Sequence, residues 1–499
     1  MKTKRYLASI LAISLLAAMS GCGGSTTDTN DTTAPVTDTT AEVVSDTDAN
    51  GFLLDELPAD LDFGGAELNI LIRTDVKDTE FYVEEATGDV VDDAIYGRNQ
   101  AVQERLNVKL NFIDMAGDAH SKHIIMGALR QSVLAADGAY DIAALISNQL
   151  PELAVEGLFA DMMSLPYLDF DKPWWANALT EELSIGGKLY MASGDASLGV
   201  IRDMMCIFFN KEMAEQYKLP DLYELVFDGK WTYDVLMNSI KGVYADLNGD
   251  TVRDENDQYG YAFGDPNQSY GYIEAFDLDI VERDSDGFPS KLVFGSEKVI
   301  DAHNMLTEMV QNNPDFGVDN WNKRPYMDNF TMGKVLFLNG QFKDTSTYRD
   351  VDNFDYGVLP MPKFDEEQKD YGTCVRATYS SFVIPKTANN RDMSAAVLEC
   401  FASESYRQVS PAYYESALKV KYSRDDESAQ VYDIIKGSVK FSFGVAFGYA
   451  FKDPQNTFKN ALWGSDGFKV GNWATQYASW EPAASEGLKK TVDTLRGME

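Results

Sequence analysis

The sequence predicts an α/β protein built on a parallel sheet with crossover helices. Three observations lead there. Strand-like apolar runs alternate with segments of helical spacing in β-α-β-α-β order, and the links between them are short. The chain of 499 residues is 44% apolar and 12% aromatic, enough to fill the cores of two or three ordinary domains.

Residues 66–73 alternate and then run apolar, which reads as a buried strand. Residues 92–106 carry Ala94, Ile95, Val102 and Leu106 at helical spacing. Alternation returns over 107–113, a second helix covers 121–135, and 140–146 is an apolar strand. No Gly-x-Gly-x-x-Gly follows the first strand, so dinucleotide binding has no support. Ligands of such sheets sit outside the carboxyl ends of the strands. That rule singles out Arg73 and Asp75 after the first strand, and Ser147 and Asn148 after the third.

A further strand pair, 188–192 and 204–210, flanks the glycine-punctuated segment 193–199, which holds Asp195. Strands follow at 334–338, 356–359 and 380–384, and helices at 394–402, 431–435 and 484–496. Arg202 and Asp203 precede the strand 204–210, where period-two geometry sends neighbours to opposite faces. There is no internal repeat.

The N-terminus is a secretory leader. Lys2, Lys4 and Arg5 precede an apolar run over 7–19, too short to cross a bilayer of about 30 Å. Met19-Ser20-Gly21-Cys22 resembles a bacterial lipobox, which makes 1–21 a signal peptide and Cys22 the lipidated mature N-terminus. From Gly23 to about Asn50 the chain is Ser, Thr, Asp, Gly and Ala, too polar to fold, so 22–56 reads as a tether. The expected location is the outer face of the cytoplasmic membrane, with lipid as the only membrane contact.

Cleavage removes three positive charges and takes the net charge from −36 to −39. Such acidity argues against nucleic acid and anionic lipid as partners. Beyond Cys22 only Cys206, Cys374 and Cys400 remain, without a Cys-x-x-Cys, so neither a disulfide scaffold nor a cysteine zinc site is present. His120, His123 and His303 are the only histidines; His120 and His123 could share a helix face, but without a third ligand they read as surface groups rather than metal ligands.

Several motifs stand in a telling order. They are Leu165-Pro166-Tyr167-Leu168-Asp169 with Lys172-Pro173-Trp174-Trp175; Gly187-Lys188-Leu189-Tyr190 through Gly194-Asp195; Phe208-Phe209-Asn210-Lys211; Asp228-Gly229-Lys230-Trp231-Thr232; Gly357-Val358-Leu359-Pro360-Met361-Pro362-Lys363; and Phe382-Val383-Ile384-Pro385-Lys386. Behind a lipobox, this order resembles the extracellular solute-binding lipoproteins of ABC importers. That broad carbohydrate-binding family includes maltose-binding protein, and the motifs look typical of its Gram-positive branch. The resemblance implies a two-lobed, type II periplasmic-binding-protein-like fold whose discontinuous lobes are joined by a hinge. Lobe one is expected from 57–197 plus 378–418, and lobe two from 198–377 plus 419–499. A monomer that binds a saccharide and meets an ABC permease is implied, with no catalysis.

Saccharides need flat aromatic faces and planar polar side chains. The resemblance places a cleft carboxylate at Asp203, cleft residues at Gln341 and Phe342 after the strand 334–338, and a stacking aromatic at Trp463. Trp174 and Trp175 are candidates for a ring facing ligand, while Trp231 reads as structural. Topology adds Asp195 and Arg202 beside the first crossing and Arg376 before the second. Separately, Asp246, Asn248, Asp250, Val252, Asp254 and Asp257 have the spacing of a calcium loop. Thr251 replaces its usual glycine and Asp257 its usual glutamate, so any calcium is expected to be structural and no cofactor to be required. Alternatives are a peptide or other small polar solute as ligand, a sensor lipoprotein, or a glycosidase with paired carboxylates.

Overall fold

Where the apolar runs stand, the backbone forms strands. The computed structural model describes residues 46–317, 325–422 and 425–498. Its strands are β1 (Ala66–Arg73), β2 (Val108–Met115), β3 (Ile142–Ile146), β4 (Met205–Asn210), β5 (Tyr259–Phe263), β6 (Val281–Arg283), β7 (Pro289–Leu292), β8 (Val335–Gln341), β9 (Tyr356–Leu359), β10 (Thr373–Cys374), β11 (Ser380–Val383) and β12 (Val439–Lys440). The leader, Cys22 and the tether as far as residue 45 lie outside the described residues.

Two four-stranded sheets organise the fold. The first has the order β11-β3-β1-β2. Ile70 faces Phe112 on one side and Ile142 on the other, both in parallel register, and β11 closes the edge antiparallel to β3. The parallel β-α-β-α-β reading is therefore correct. All of β3 and the last four residues of β1 are buried, as expected of strands covered on both faces. The crossover helices are Val90–Leu106, ended by Asn107 in the left-handed region (φ 48°), and Lys122–Ala135. The second sheet runs β5-β8-β4-β9, with β5 parallel to β8 and β4 antiparallel to both neighbours. Trp231 is buried there, its indole N–H donating to the Pro360 carbonyl at 2.9 Å. Asn210 caps the helix Lys211–Gln216 through the Met213 amide at 3.0 Å.

The chain leaves the first sheet through the segment before β4 and returns through the residues before β11, where Met204 bridges Val375. After β11 the helix Arg391–Glu404 packs on Val90–Leu106, and Asp426–Gly437 packs on β9. The C-terminal helix Trp473–Gly497 lies on β7 and on the helix Glu297–Asn312, and also touches Leu150–Val155.

Four expectations change. Residues 188–192 form no strand; Ala192 alone bridges Phe382, because Leu189 is hydrogen-bonded to Asp161 and Met162 instead. The chain then passes beneath Trp174 at Gly194, where a Cβ would stand 2.2 Å from the Trp174 carbonyl oxygen. Gln341 ends β8 rather than following it. The folded part starts before Leu57: Phe52 packs edge-on against Tyr406 at 5.4 Å, and Asp55 forms a half-buried ion pair with Arg105 at 2.8 Å.

Neither Trp174 nor Trp175 turns a ring outward. Both are buried, and their indole N–H groups donate to the two oxygens of Glu399 at 3.0 Å each. Burial pushes the Glu399 carboxyl up to about 7 from 4.5, against the pull of those donors. The fold then holds the proton more tightly than the unfolded chain does, so stability falls as pH rises from the unfolded value through about 7. Denaturant unfolding at about pH 5 and pH 8 should show this loss in the wild type and a smaller one in Glu399→Gln. Equal losses in both proteins would place the effect elsewhere.

Candidate functional site

Between the two sheets lies a cavity of about 430 Å³. Each wall comes from strand ends. Arg73 ends β1 and Ile146 ends β3; Asp75, Glu80, Asp118 and His120 follow β1 and β2. The opposite wall is Arg202 and Asp203 before β4 and Lys343 after β8, while Arg376 and Thr378 arrive on the return segment. The site thus sits at the carboxyl ends of the first sheet, where open α/β sheets bind ligands.

Asp203 is the most connected of these residues. Its carboxylate accepts from Lys343 Nζ at 2.8 Å and from the Thr378 hydroxyl at 2.6 Å. Its carbonyl accepts from the Arg376 amide at 3.0 Å and from Gln341 Nε2 at 3.3 Å. Thr378 in turn offers its carbonyl to Arg73, whose Nη1 donates at 2.7 Å. Arg73 also holds Asp75 in a fork, Nε to Oδ1 at 3.1 Å and Nη2 to Oδ2 at 2.6 Å. Arg376 donates to Asp265 at 3.1 Å. These ion pairs are partly or wholly out of water, so their hydrogen bonds fix geometry more than they add stability.

Glu80 is buried, accepts from Ser197, and is pushed up by burial while Arg73 and Arg202 pull it back. Arg202 sits beside it in the helical turn Gly199–Arg202. The expectation that Arg202 and Asp203 face opposite ways fails for that reason: they close a helical turn instead of lying in a strand, and both reach the cavity.

Five of the eleven ligand candidates line this cavity: Arg73, Asp75, Arg202, Asp203 and Arg376. The other six stand elsewhere. Ser147 is buried with its amide on the Tyr379 carbonyl at 3.0 Å, and Asn148 donates its amide to Ala377 at 3.4 Å. Asp195 is held by the Ser410 hydroxyl, and burial pushes its carboxyl up to about 6. Gln341 supports Asp203 from behind. Phe342 is fully buried, edge-on to Tyr432 at 5.0 Å. Trp463 packs on Phe263 at 6.3 Å.

Sequence reasoning missed Glu80, Asp118, Lys343 and Thr378; it set His120 aside as a surface group, and that exposed ring does reach the cavity. Lys343 and Thr378 stand 140 and 175 positions from Asp203, which no local pattern spans. Outside the cavity lining, the Tyr449 ring is 44% exposed, with Lys122 4.8 Å from its centroid.

In the loop 246–257 the carboxylates serve the loop itself. Asp246 accepts from the Gly249 and Thr251 amides, and Asp250 from Val252. Asp257 is buried and accepts from the Tyr244 hydroxyl at 3.0 Å. Asn248 donates to Asp250 at 2.9 Å, and the Asp254 side chain accepts from the Asn256 amide. Among the described residues no group of three or more His, Cys, Asp or Glu side chains is placed to hold a metal ion.

Residues 120–408 match the family described as bacterial extracellular solute-binding protein. No curated protein sequence matches the chain significantly. Among solved structures, the fold is similar to a cyclo/maltodextrin-binding protein complexed with maltotetraose, at a TM-score of 0.54 and 13% identity over 87% of this chain and 98% of that one. It is similar to an ABC-transporter solute-binding protein from Thermotoga lettingae bound with α-D-tagatose (TM-score 0.52, 14% identity, 85% and 100% covered). It is also similar to the maltotriose-binding protein of Thermus thermophilus bound with maltotriose (TM-score 0.51, 11% identity, 84% and 100% covered). At such identities the likeness is one of two-lobed fold.

The Asp203 junction makes a stability prediction. Thr378→Val keeps the side-chain shape but leaves one Asp203 oxygen without its hydroxyl donor, which costs about 1–3 kcal/mol. Denaturant unfolding of the two proteins measures it, and an unchanged midpoint would show that water replaces the hydroxyl.

Proposed function

The chain belongs to the bacterial extracellular solute-binding protein family, and from that premise we propose that it captures a carbohydrate, of oligosaccharide size, and delivers it to the permease of an ABC importer. It is a binding protein and not an enzyme. The observation that carries the reading is a cavity walled by the ends of both sheets, at the place where the chain crosses between them. Ligand held there touches both lobes, so it favours the closed arrangement over the open one, which is how a hinge protein converts occupancy into shape.

The lobe boundaries belong to the proposal: lobe one from about Thr47 to 197 plus 378–418, lobe two from 198–377 plus 419–499. Sheet membership supports them, since β1, β2, β3 and β11 fall in the first and β4, β5, β8 and β9 in the second. One observation favours the second reading, a peptide or other small polar solute: the cavity wall carries Arg and Asp side chains and no Trp, Tyr or Phe.

Titration of the chain with oligosaccharides, peptides and polyols should raise the thermal midpoint for one saccharide class, in proportion to the logarithm of its concentration. A rise with peptides alone would replace the first reading by the second. Binding is proposed to need no cofactor, with calcium at the loop 246–257 acting only on stability. EDTA should therefore leave the saccharide affinity unchanged; a loss restored by calcium would give that loop a part in binding.

The proposal also has the mature protein act as a monomer, held by lipid on Cys22 at the outer face of the cytoplasmic membrane of a Gram-positive cell. No helix among the described residues is long and apolar enough to cross a membrane. Cys22→Ala should move the protein from the membrane fraction to the medium and abolish its labelling by palmitate. Retention of both would remove Cys22 as the anchor.

A further inference from the structure

We infer that the saccharide is an acidic one, a sugar bearing carboxylate groups such as a uronate oligomer, and that the Arg202 guanidinium grips a carboxylate of it; this deepens the saccharide reading and rests on it. The argument is one of unequal supply. The chain as a whole carries a net charge of −36. Yet its inter-sheet cavity gathers four cations, Arg73, Arg202, Lys343 and Arg376, against four carboxyl groups, and its wall has no Trp, Tyr or Phe. A neutral sugar site depends on aromatic faces for affinity. A wall dense in guanidinium groups is instead suited to carboxylate, which matches their fork geometry in two parallel hydrogen bonds.

Acidic groups share the wall, and most are already engaged. Asp75 is taken by the fork of Arg73. Asp203 is taken by Lys343 and Thr378. Asp118 accepts from the His120 and Ser121 amides. Glu80 accepts from Ser197, and burial favours its protonated form. Arg376 is committed to Asp265 through one nitrogen. Arg202 differs from the other three cations: its guanidinium makes no hydrogen bond or ion pair among the described residues, while facing the cavity. Five N–H donors are left for a ligand. A carboxylate there meets Arg202 from the lobe-two side, with Arg73 and the free nitrogens of Arg376 close enough to share the cavity wall.

The test compares matched ligands on the full chain. Calorimetric titration would use trigalacturonate, a hyaluronan tetrasaccharide and sialyllactose, each beside its methyl ester, together with maltotriose as a neutral probe. The expected result is that one acid binds about ten- to a hundredfold tighter than its own ester, the worth of a charge-assisted pair. Arg202→Gln should erase that ratio, and Arg202→Lys should restore part of it. Circular dichroism of each variant separates loss of the pair from loss of the fold. Equal or tighter binding of the esters or of maltotriose would overturn the acidic assignment and leave the saccharide reading standing. Binding of none of these sugars, with peptides bound instead, would overturn both. An acid preference that survives Arg202→Gln would overturn the role of Arg202.

Discussion

Everything about the cavity depends on how Asp203 is held. Its carboxylate is drawn out of water, with its side chain only 8% exposed, and it is compensated by one ammonium and one hydroxyl. A buried carboxylate deprived of such partners costs several kcal/mol, so the fold has strong reason to keep them in place. Those partners come from different parts of the chain. Lys343 follows β8 of the second sheet, and Thr378 rides on the segment leading back to the first. Because Thr378 passes its own carbonyl to Arg73, the end of β1 is tied to the same point. One carboxylate therefore sets the spacing between both walls. Any opening of the cavity must either keep the Asp203 cluster as its pivot or break the contact between Asp203 and Thr378.

That pivot also explains the division of labour among the polar residues. Gln341 and Arg376 use side-chain or backbone donors on the Asp203 carbonyl, so they position it from behind. Asp75 and Asp265 each occupy an arginine. What remains unspent is concentrated in Arg202, on a single helical turn. Its start, Gly199, has no room for a side chain, since a Cβ would come within 2.8 Å of Glu80 Oε1 and 3.0 Å of Tyr379. The close approach that glycine permits brings Arg202 beside Glu80. Burial pushes the Glu80 carboxyl up while the Arg73 and Arg202 charges pull it down.

The sequence made the first sheet legible because parallel strands are apolar on both faces and show as runs. The rule that ligands meet strand ends then found Arg73 and Asp75 without any knowledge of the second lobe. It overreached at Ser147 and Asn148, where the chain turns at once into a 3-10 turn and both amides are used on the return segment. Period-two reasoning failed at Arg202 because four residues of helix precede β4. Glu80 was invisible for a similar reason: it lies in the irregular turn Lys77–Phe81, where no periodicity marks a buried acid. Pairs such as Asp203 with Thr378 are products of tertiary folding alone.

Aromatic content is a poor guide to what lines the cavity, and the reason is physical. A large ring removes most apolar surface from water when it is buried, so a two-lobed chain with several cores consumes its rings internally. Trp174 and Trp175 are spent on Glu399, Trp231 on Pro360, and Trp473 on the Phe294 carbonyl and the face of His303. Each of these four indole N–H groups has found an acceptor in the core, and that acceptor fixes the ring away from solvent. Rings counted from composition are therefore discounted before any reach a cleft. Charged side chains run the opposite way, because burying them without partners is costly. A guanidinium kept at a cavity wall without an internal partner is thus more telling than seven tryptophans in the composition, and at this cavity that group is Arg202.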